Sequence, residues 1–283
     1  MSVSPPIGAH IRTDKGWTGL FRYAKEWGAE VIQIFTGSPR QYHSKRYQPA
    51  EVENYLRAWK AAGEPLVISH ASYLVNLASP KEEVRRKARE TFAAELDRCE
   101  ALGLPLVVLH IGSALDAPPQ EALETVLREL NELIRQTGSV RVLLENAAGQ
   151  GSSLGATFEE IAWLLERLEP PERFGVCLDT CHAFAAGYDL RGDAYEETWK
   201  QFEELIGLDR LFVLHFNDSK GPLGDRKDRH EHIGKGGLGE EPFRRLLHDP
   251  RLRAIPVFIE TPDDLKWHAR NLARLKALRD QEG

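Results

Sequence analysis

Short apolar runs recur along the chain, separated by longer stretches in which apolar residues are spaced as on one face of a helix. The short runs are rich in Val, Ile and Leu and are typical of buried strands, whereas the longer stretches predict helices. We predict eight strands, at residues 7–10, 31–35, 66–70, 106–110, 141–145, 174–179, 211–215 and 256–260. We predict helices between them that include residues 50–62, 80–102, 120–136, 157–168, 194–206 and 263–278.

This alternation of strands and helices predicts one closed barrel. Eight strands with intervening helices, and no linker rich in Pro or Gly between two halves, favour an α/β fold of the parallel (β/α)₈ TIM-barrel type. Such a barrel typically takes about 250 residues, so it would use most of the 283 residues present. We therefore predict a single domain over residues 1–283. Ser79 followed by Pro80 is typical of a helix start and predicts the beginning of the helix at 80–102.

Composition indicates in which cellular compartment we expect the protein. Hydrophobic residues make up 42% and charged residues 28% of the chain, which is ordinary for a globular protein. No signal-peptide pattern opens the sequence, and no stretch approaches the roughly 18 apolar residues of a membrane span. Cys99, Cys177 and Cys181 are too few for a disulfide framework. We expect a soluble, cytoplasmic protein with no membrane partner, and we expect Cys177 to pack inside the barrel.

Six of the predicted strands end in a residue type that binds metal ions. These strand ends are His70, His110, Glu145, Asp179, His215 and Glu260. In a parallel barrel the end of each strand lies at the C-terminal mouth. Side-chain alternation places Ile68 on the same face of its strand as His70. The metal-ligand residues therefore extend the row of side chains that point into the barrel. A cluster of carboxylates and imidazoles without cations would repel itself and lose hydration, so we predict a metal cluster at the mouth.

Two further segments offer metal ligands outside the strand ends. His182 follows Asp179 by three residues, and Asp228 and His230 form an Asp-x-His pair in a charged loop. Two imidazoles and one carboxylate suit a third metal site with positions left open for water or substrate. His232 is chemically equivalent to His230, and spacing alone does not decide between them.

The net charge of −6 argues against nucleic-acid binding by the whole surface, because proteins that bind DNA usually carry a basic footprint. Net charge hides local patches, however. Carboxylates that bind metals are counted here as bare charges, while each divalent ion adds two positive charges. The acidic balance is compatible with an anionic substrate only if metal ions bind.

Five segments of the sequence carry a resemblance to a known family. They are SHASYLVNLASP, LENAAGQGSSLG, CLDTCHAFAAGYDL, LHFNDSKGPLGDRKDRHEHIG and FIETP. These segments closely resemble the motifs of endonuclease IV, the zinc-dependent family of apurinic/apyrimidinic endonucleases, and the resemblance covers nearly the whole chain. The sequence departs from the family pattern in IRTDKGW, after the first strand, and in LHIGSAL, after the fourth.

The resemblance implies three zinc ions per chain, with manganese as an alternative at one site. The implied ligands are His70, His110 and Glu145 for one ion, Glu145, Asp179, His215 and Glu260 for a second, and His182, Asp228 and His230 for a third. Glu145 then bridges two ions, and the resemblance selects His230 over His232.

The resemblance also implies the reaction. It predicts a DNA repair enzyme that uses three metal ions to hydrolyse the phosphodiester 5′ to an abasic site, leaving 3′-hydroxyl and 5′-deoxyribose phosphate ends. Removal of blocking groups from 3′ ends is an expected side activity. Metal ions meet the demands of this chemistry by activating water and neutralising developing charge. We predict Glu145 and Glu260 as catalytic residues, with Glu260 orienting the attacking water.

The expected partner is double-stranded DNA containing abasic sites or blocked 3′ ends, bound by a monomer. By resemblance Arg40, Tyr73 and Leu74 insert into or beside the gap, since an unpaired nucleotide costs least to extrude. From the residues alone, Leu74 is equally a rim-packing residue and Arg40 a solvated charge. A basic stretch in the metal loop is interpreted as phosphate contacts or as a solvated loop. Its members are Lys220, Arg226, Lys227, Arg229 and Lys235.

Other classes of protein fit parts of the pattern. The run GQGSSLG lacks the P-loop Lys-Ser/Thr ending, so it predicts a barrel-rim turn and no nucleotide cofactor.

A sugar isomerase or epimerase of the same barrel type would also place carboxylates and histidines on metals, and it would explain the acidic charge. It would not need His182 together with Asp228 and His230. A noncatalytic module that binds damaged DNA would carry structural zinc, whose protein coordination is usually closed.

Overall fold

The computed structural model describes residues 4–42, 45–262 and 265–281. Eight parallel strands form a closed barrel: β1 (Ile7–His10), β2 (Ile32–Ile34), β3 (Val67–His70), β4 (Leu106–His110), β5 (Arg141–Glu145), β6 (Phe174–Asp179), β7 (Leu211–His215) and β10 (Val257–Ile259). Their order around the barrel is β1-β10-β7-β6-β5-β4-β3-β2. All eight predicted strands are present, and the predicted TIM-barrel fold is confirmed.

Helices follow the strands around the barrel. They are α1 (Gly16–Trp27), α2 (Pro49–Ala61), α3 (Glu82–Leu102), α4 (Pro119–Arg135), α5 (Phe158–Leu165), α6 (Thr180–Ala186), α7 (Ala194–Leu205), α8 (Glu241–His248) and α9 (Leu265–Arg279). The first two residues of the helix predicted at 263–278 lie outside the described residues, as do residues 1–3 and 282–283 of the predicted domain. No helix of the described ranges is long and apolar enough to cross a membrane.

The apolar residues form two clusters, and the smaller one supports the mouth. It contains Val31, Ile68, Val108, Leu143, Cys177, Val213 and Phe258. Six of these residues stand two positions before the predicted ligands of their strands, so alternation places both on the inward face. The predicted inward row therefore fills the barrel below the mouth. Cys177 packs within it as expected, and burial raises the pKa of its thiol to about 12.

Several predicted bounds differ from the structure by one to three residues, and three further details of the sequence prediction were wrong. Helix α3 begins at Glu82 instead of residue 80, because the Ser79 hydroxyl accepts the Lys81 N–H at 3.2 Å and forms a turn before the helix. Strand β10 ends at Ile259, so Glu260 follows the strand. The charged loop after β7 is not irregular throughout, because β8 (Asp218–Ser219) pairs antiparallel with β9 (His230–Glu231).

Candidate metal centre

Glu145 lies at the centre of the barrel mouth and is fully buried. Its Oε2 atom is 3.1 Å from His70 Nε2 and 3.4 Å from His110 Nε2. Its Oε1 atom is 2.9 Å from His215 Nδ1. The two carboxylate oxygens thus face two different sets of side chains, which is the arrangement that a bridging carboxylate requires.

A second group of ligand types surrounds His215. Its Nδ1 atom lies 3.5 Å from Glu260 Oε2 and 3.9 Å from Asp179 Oδ2. Ligand atoms of Glu145, Asp179, His215 and Glu260 all lie within 4.8 Å of one another. Asp179 is held by the His182 N–H at 2.9 Å, which it accepts as the N-cap of α6, and by Asn217 Nδ2 at 2.6 Å. The barrel therefore brings together at one mouth the six residues that were predicted to end strands.

A third group forms where the β8–β9 hairpin meets the start of α6. The Nε2 atoms of His182 and His230 face each other at 3.4 Å. Asp228 Oδ1 lies 3.3 Å from each of them. Zinc bonds of about 2.0–2.1 Å at tetrahedral angles separate neighbouring ligand atoms by roughly 3.3 Å. The three side chains thus have the spacing of ligands around one ion.

Hydrogen bonds to backbone carbonyls fix the ring orientation of three of these histidines. Nδ1 donates to Ala71 O at 2.8 Å in His70, to Asn146 O at 2.9 Å in His182 and to Glu260 O at 3.0 Å in His230. A carbonyl oxygen only accepts, so Nδ1 carries a proton, and the neutral form of each ring presents the Nε2 lone pair to the mouth. This is the tautomer that binds metal ions, and carbonyl partners of this kind are typical of metal-binding histidines.

The charges at the mouth are strongly coupled. Burial would raise the pKa of Glu145, but the nearby imidazoles, His110 first, hold that pKa well below its usual range. Burial would lower the pKa of His182, but the carboxylates of Asp179 and Asp228 outweigh it and raise that pKa to about 10. Buried carboxylates at this density need positive charge beside them, as protons on imidazole or as metal cations. The donor set of imidazole and carboxylate fits divalent zinc.

The hairpin separates the two histidines that spacing could not distinguish. His230 belongs to the third group, whereas the His232 ring stacks on Trp267 at 4.1 Å between ring centroids. His232 Nδ1 lies 3.1 Å from Asn271 Nδ2. His232 therefore has partners of its own outside the third group.

The predicted DNA contacts lie on the rim. Tyr73 is 62% exposed, and its ring packs against Phe35 at 5.4 Å and His70 at 5.9 Å between ring centroids. Arg40 and Tyr73 line a cavity of about 620 Å³, together with Glu260 and residues 11–14 of the atypical first loop. Leu74 is half-buried and is not among the residues that line this cavity.

The side chains of the basic stretch are exposed, four of them on the β8–β9 hairpin and that of Lys235 just after β9. They belong to Lys220, Arg226, Lys227, Arg229 and Lys235. Arg229 also lines a cavity of about 300 Å³ with His110, His182 and Asp228. The hairpin thus carries positive charge next to the third group of ligand types.

Sequence reasoning missed two polar residues of the mouth, His10 and Gln33. Gln33 is fully buried; its Nε2 donates to Glu260 Oε1 at 2.5 Å and its Oε1 lies 2.9 Å from His215 Nε2. His10 Nδ1 lies 3.3 Å from the same Glu260 oxygen. Both had a signal in the sequence, because His10 ends the first predicted strand and Gln33 is a polar residue inside an apolar run.

Fold and site together define a TIM barrel with groups of metal-ligand residues at its mouth. A family model described as xylose isomerase-like TIM barrel matches residues 21–279. A curated relative from Halorhodospira halophila, named Probable endonuclease 4, is 45% identical over 262 residues, which cover 91% of this chain and 88% of that relative. The solved structure of endonuclease IV from Thermus thermophilus is 37% identical, with a TM-score of 0.85 over 97% of this chain and 98% of that one.

The chain belongs to the endonuclease IV family. The family and the enzyme class expected from the sequence, a hydrolase of the endonuclease type, are confirmed. The D-psicose 3-epimerase of Clostridium cellulolyticum is also similar, with 15% identity and a TM-score of 0.68 over 97% of this chain and 98% of that one. At this level of identity the similarity shows the fold alone.

Proposed function

We propose that this chain is a DNA repair endonuclease that hydrolyses the phosphodiester on the 5′ side of an abasic site, and that it acts in the cytoplasm as a monomer. Family membership supports cleavage of nucleic acid. The observation that carries the metal-dependent chemistry is the triangle of His182, Asp228 and His230, whose ligand atoms lie 3.3 to 3.4 Å apart. At this distance the two imidazole nitrogens and the carboxylate oxygen can all bind one shared cation, which would take the place of a proton between them.

The proposed cofactor is three zinc ions, with manganese as an alternative at one site. The first would be held by His70, His110 and Glu145, the second by Glu145, Asp179, His215 and Glu260, and the third by His182, Asp228 and His230. The two oxygens of Glu145 support its role as the shared ligand, because they face different histidines. Bound ions of this kind activate water and neutralise charge on the oxygens of a phosphodiester.

The protein side chains orient the reaction. Glu260 Oε2 faces the second group while Oε1 is held by Gln33, so one carboxylate oxygen is left to face the proposed site of the second ion. We assign Glu260 the role of orienting the attacking water, as a proton acceptor within the cluster. The same site accepts a phosphate at the 3′ end of a strand, which accounts for the proposed removal of 3′ blocking groups.

Damage recognition is assigned to the rim. Arg40, Tyr73 and Leu74 would occupy the space that an extruded abasic nucleotide leaves, since filling that space stabilises the distorted duplex. Lys220, Arg226 and Arg229 would contact phosphates and set the register of the DNA. Exposure of Tyr73 and of the basic hairpin supports both assignments.

Cleavage of a defined duplex tests this function. One strand, labelled at its 5′ end, carries a single abasic site; the matched substrate carries a normal nucleotide there. We expect zinc-dependent cleavage of the first duplex alone, at the 5′ side, with a 3′-hydroxyl product that a polymerase extends. Loss of cleavage after chelation and recovery with zinc is the control.

The same assay separates the alternative functions. Turnover of a ketose panel without DNA cleavage would establish the isomerase alternative. Binding of the abasic duplex without cleavage, with zinc present, would establish a noncatalytic module. Either result would contradict the proposal.

A further inference from the structure

Gln33 occupies a position that connects two of the proposed ligands of the second ion. It lies in β2, a strand that supplies none of the nine proposed metal ligands, and its side chain is fully buried. Its amide touches Glu260 on one side and His215 on the other. Burial of an amide inside an apolar strand is costly unless its hydrogen bonds are satisfied. Here two of the partners, Glu260 and His215, are proposed metal ligands, and the third, His10 Nδ1, lies 3.0 Å from the amide nitrogen.

The chemistry of the partners sets the direction of these hydrogen bonds. The ionised Glu260 carboxylate only accepts, so Gln33 must turn its NH₂ group toward it. The amide oxygen then faces His215 Nε2 and accepts the proton of that nitrogen. The neutral form of His215, which a metal ion would bind, is thereby the tautomer whose Nδ1 is the free nitrogen on the side of Glu145, Asp179 and Glu260.

His215 differs in this respect from the other three oriented histidines. His70, His182 and His230 each donate to a backbone carbonyl, which no substitution of a side chain removes. His215 depends on a side-chain amide. A substitution of Gln33, which is not itself a proposed ligand, can therefore change the orientation of the His215 ring in the second site.

We propose that Gln33 is a positioning residue of the second metal site, which orients His215 and Glu260 at the same time. This inference rests on the proposed metal cluster. By holding Glu260 Oε1, Gln33 leaves Oε2 to face the site; by accepting from His215 Nε2, it leaves Nδ1 to bind. Partners of metal ligands typically change metal affinity or activity by about 10- to 100-fold when they are replaced.

Three variants of the full chain test the proposal. Gln33→Met keeps the length of the side chain and removes both hydrogen bonds. Gln33→Glu keeps an acceptor for His215 but places a second carboxylate beside Glu260. Thr198→Val is the control, because it removes a buried hydrogen bond on α7 that ends at Asp189 O and touches none of the proposed ligands.

The readouts are zinc release to a chromogenic chelator and the separate values of kcat and KM on the abasic duplex. In Gln33→Met we expect one of the three ions to leave about 10- to 100-fold faster, with kcat lowered and KM within about threefold. Gln33→Glu should keep the His215 contact and lose the Glu260 contact, so it should also release one ion faster than wild type. Thr198→Val should release zinc at the wild-type rate even where its melting temperature falls.

Zinc release and kcat at wild-type values in the folded Gln33 variants would overturn the inference. If Gln33→Met does not fold, the same comparison with Gln33→Glu decides. A wild-type chain that takes up no zinc would overturn the proposed metal cluster together with this inference. A wild-type chain with about three ions and a Gln33 variant that matches it would overturn the inference alone.

Discussion

Two regions meet at the mouth of the barrel, and they are built in opposite ways. In the proposed metal centre, Glu145, Asp179 and His215 are fully buried, and hydrogen bonds with Asn217 and Gln33 orient Asp179 and His215. On the rim, Tyr73 is 62% exposed and Arg40 is exposed on a loop. Chemistry on a phosphodiester requires groups held in place before the substrate arrives, which strand ends provide. Recognition of a distorted duplex requires side chains that DNA can reach, which loops provide.

The difference between the two regions predicts two kinds of variant. Substitutions in the centre should abolish cleavage and spare binding, whereas substitutions on the rim should weaken discrimination and spare the metals.

The largest effect is expected for Glu260→Gln. The substitution keeps the size of the side chain and removes a charge that faces His215 at 3.5 Å. We expect single-turnover cleavage to fall by about a thousandfold or more, equivalent to roughly 4 kcal/mol of transition-state stabilisation. Affinity for the abasic duplex should stay within about tenfold, because the rim is unchanged. Rapid-quench cleavage and a binding titration measure the two effects.

The matched control is Glu231→Gln, which removes a half-buried carboxylate from β9, outside the proposed ligand set. It should cleave at close to the wild-type rate. Near-normal turnover of Glu260→Gln would remove Glu260 from the catalytic assignment and weaken the contrast between centre and rim.

A smaller effect is expected for His230→Ala, and His232→Ala is its control in the same hairpin. His230 faces His182 and Asp228, whereas His232 stacks on Trp267. Loss of His230 should remove one of three zinc ions and lower cleavage by roughly a hundredfold. Replacing a residue that only orients a metal ligand typically costs about 10- to 100-fold, and loss of a ligand itself should cost at least as much. Elemental analysis of gel-filtered protein checks the metal count. Equal zinc contents in the two variants would refute the assignment of His230 to the third site.

The smallest effect is expected on the rim, for Tyr73→Ala. If Tyr73 fills the space left by an abasic nucleotide, its loss should cost about 1 to 3 kcal/mol, or roughly 5- to 150-fold, in the binding of abasic DNA over undamaged DNA. Zinc content should not change. Affinities for matched duplexes at one fixed salt concentration give the ratio. Tyr23→Ala, on α1, is the control, and an unchanged ratio for Tyr73→Ala would leave recognition to other loops.

The sequence predicted which residues meet at the barrel mouth better than it predicted the rim, and the reason is physical. Side-chain alternation ties His70, His110 and Glu145 to the inward residues two positions earlier, so the strands themselves determine where these side chains point. Loops have no such period. The exposure of Tyr73 and the half-burial of Leu74 became visible only in the structure, although the residues are neighbours.

Residues that depend on long-range pairing also escaped sequence reasoning. The choice of His230 over His232 depends on the pairing of β9 with β8, and from the residues alone either histidine was a candidate. Gln33 contacts Glu260, which lies 227 residues further along the chain. Barrel closure brings these two side chains together, and a polar residue within an apolar strand indicates only that some partner exists.

The number of metal ions per chain tests the central claim most directly. Nine proposed ligands form three groups, two of which share Glu145, so elemental analysis after gel filtration should find close to three ions per chain, mostly zinc. Stepwise removal by a chelator and restoration with zinc should abolish and restore cleavage of the abasic duplex. A value near one ion per chain, or full cleavage after all zinc has been removed, would contradict the proposed three-metal centre.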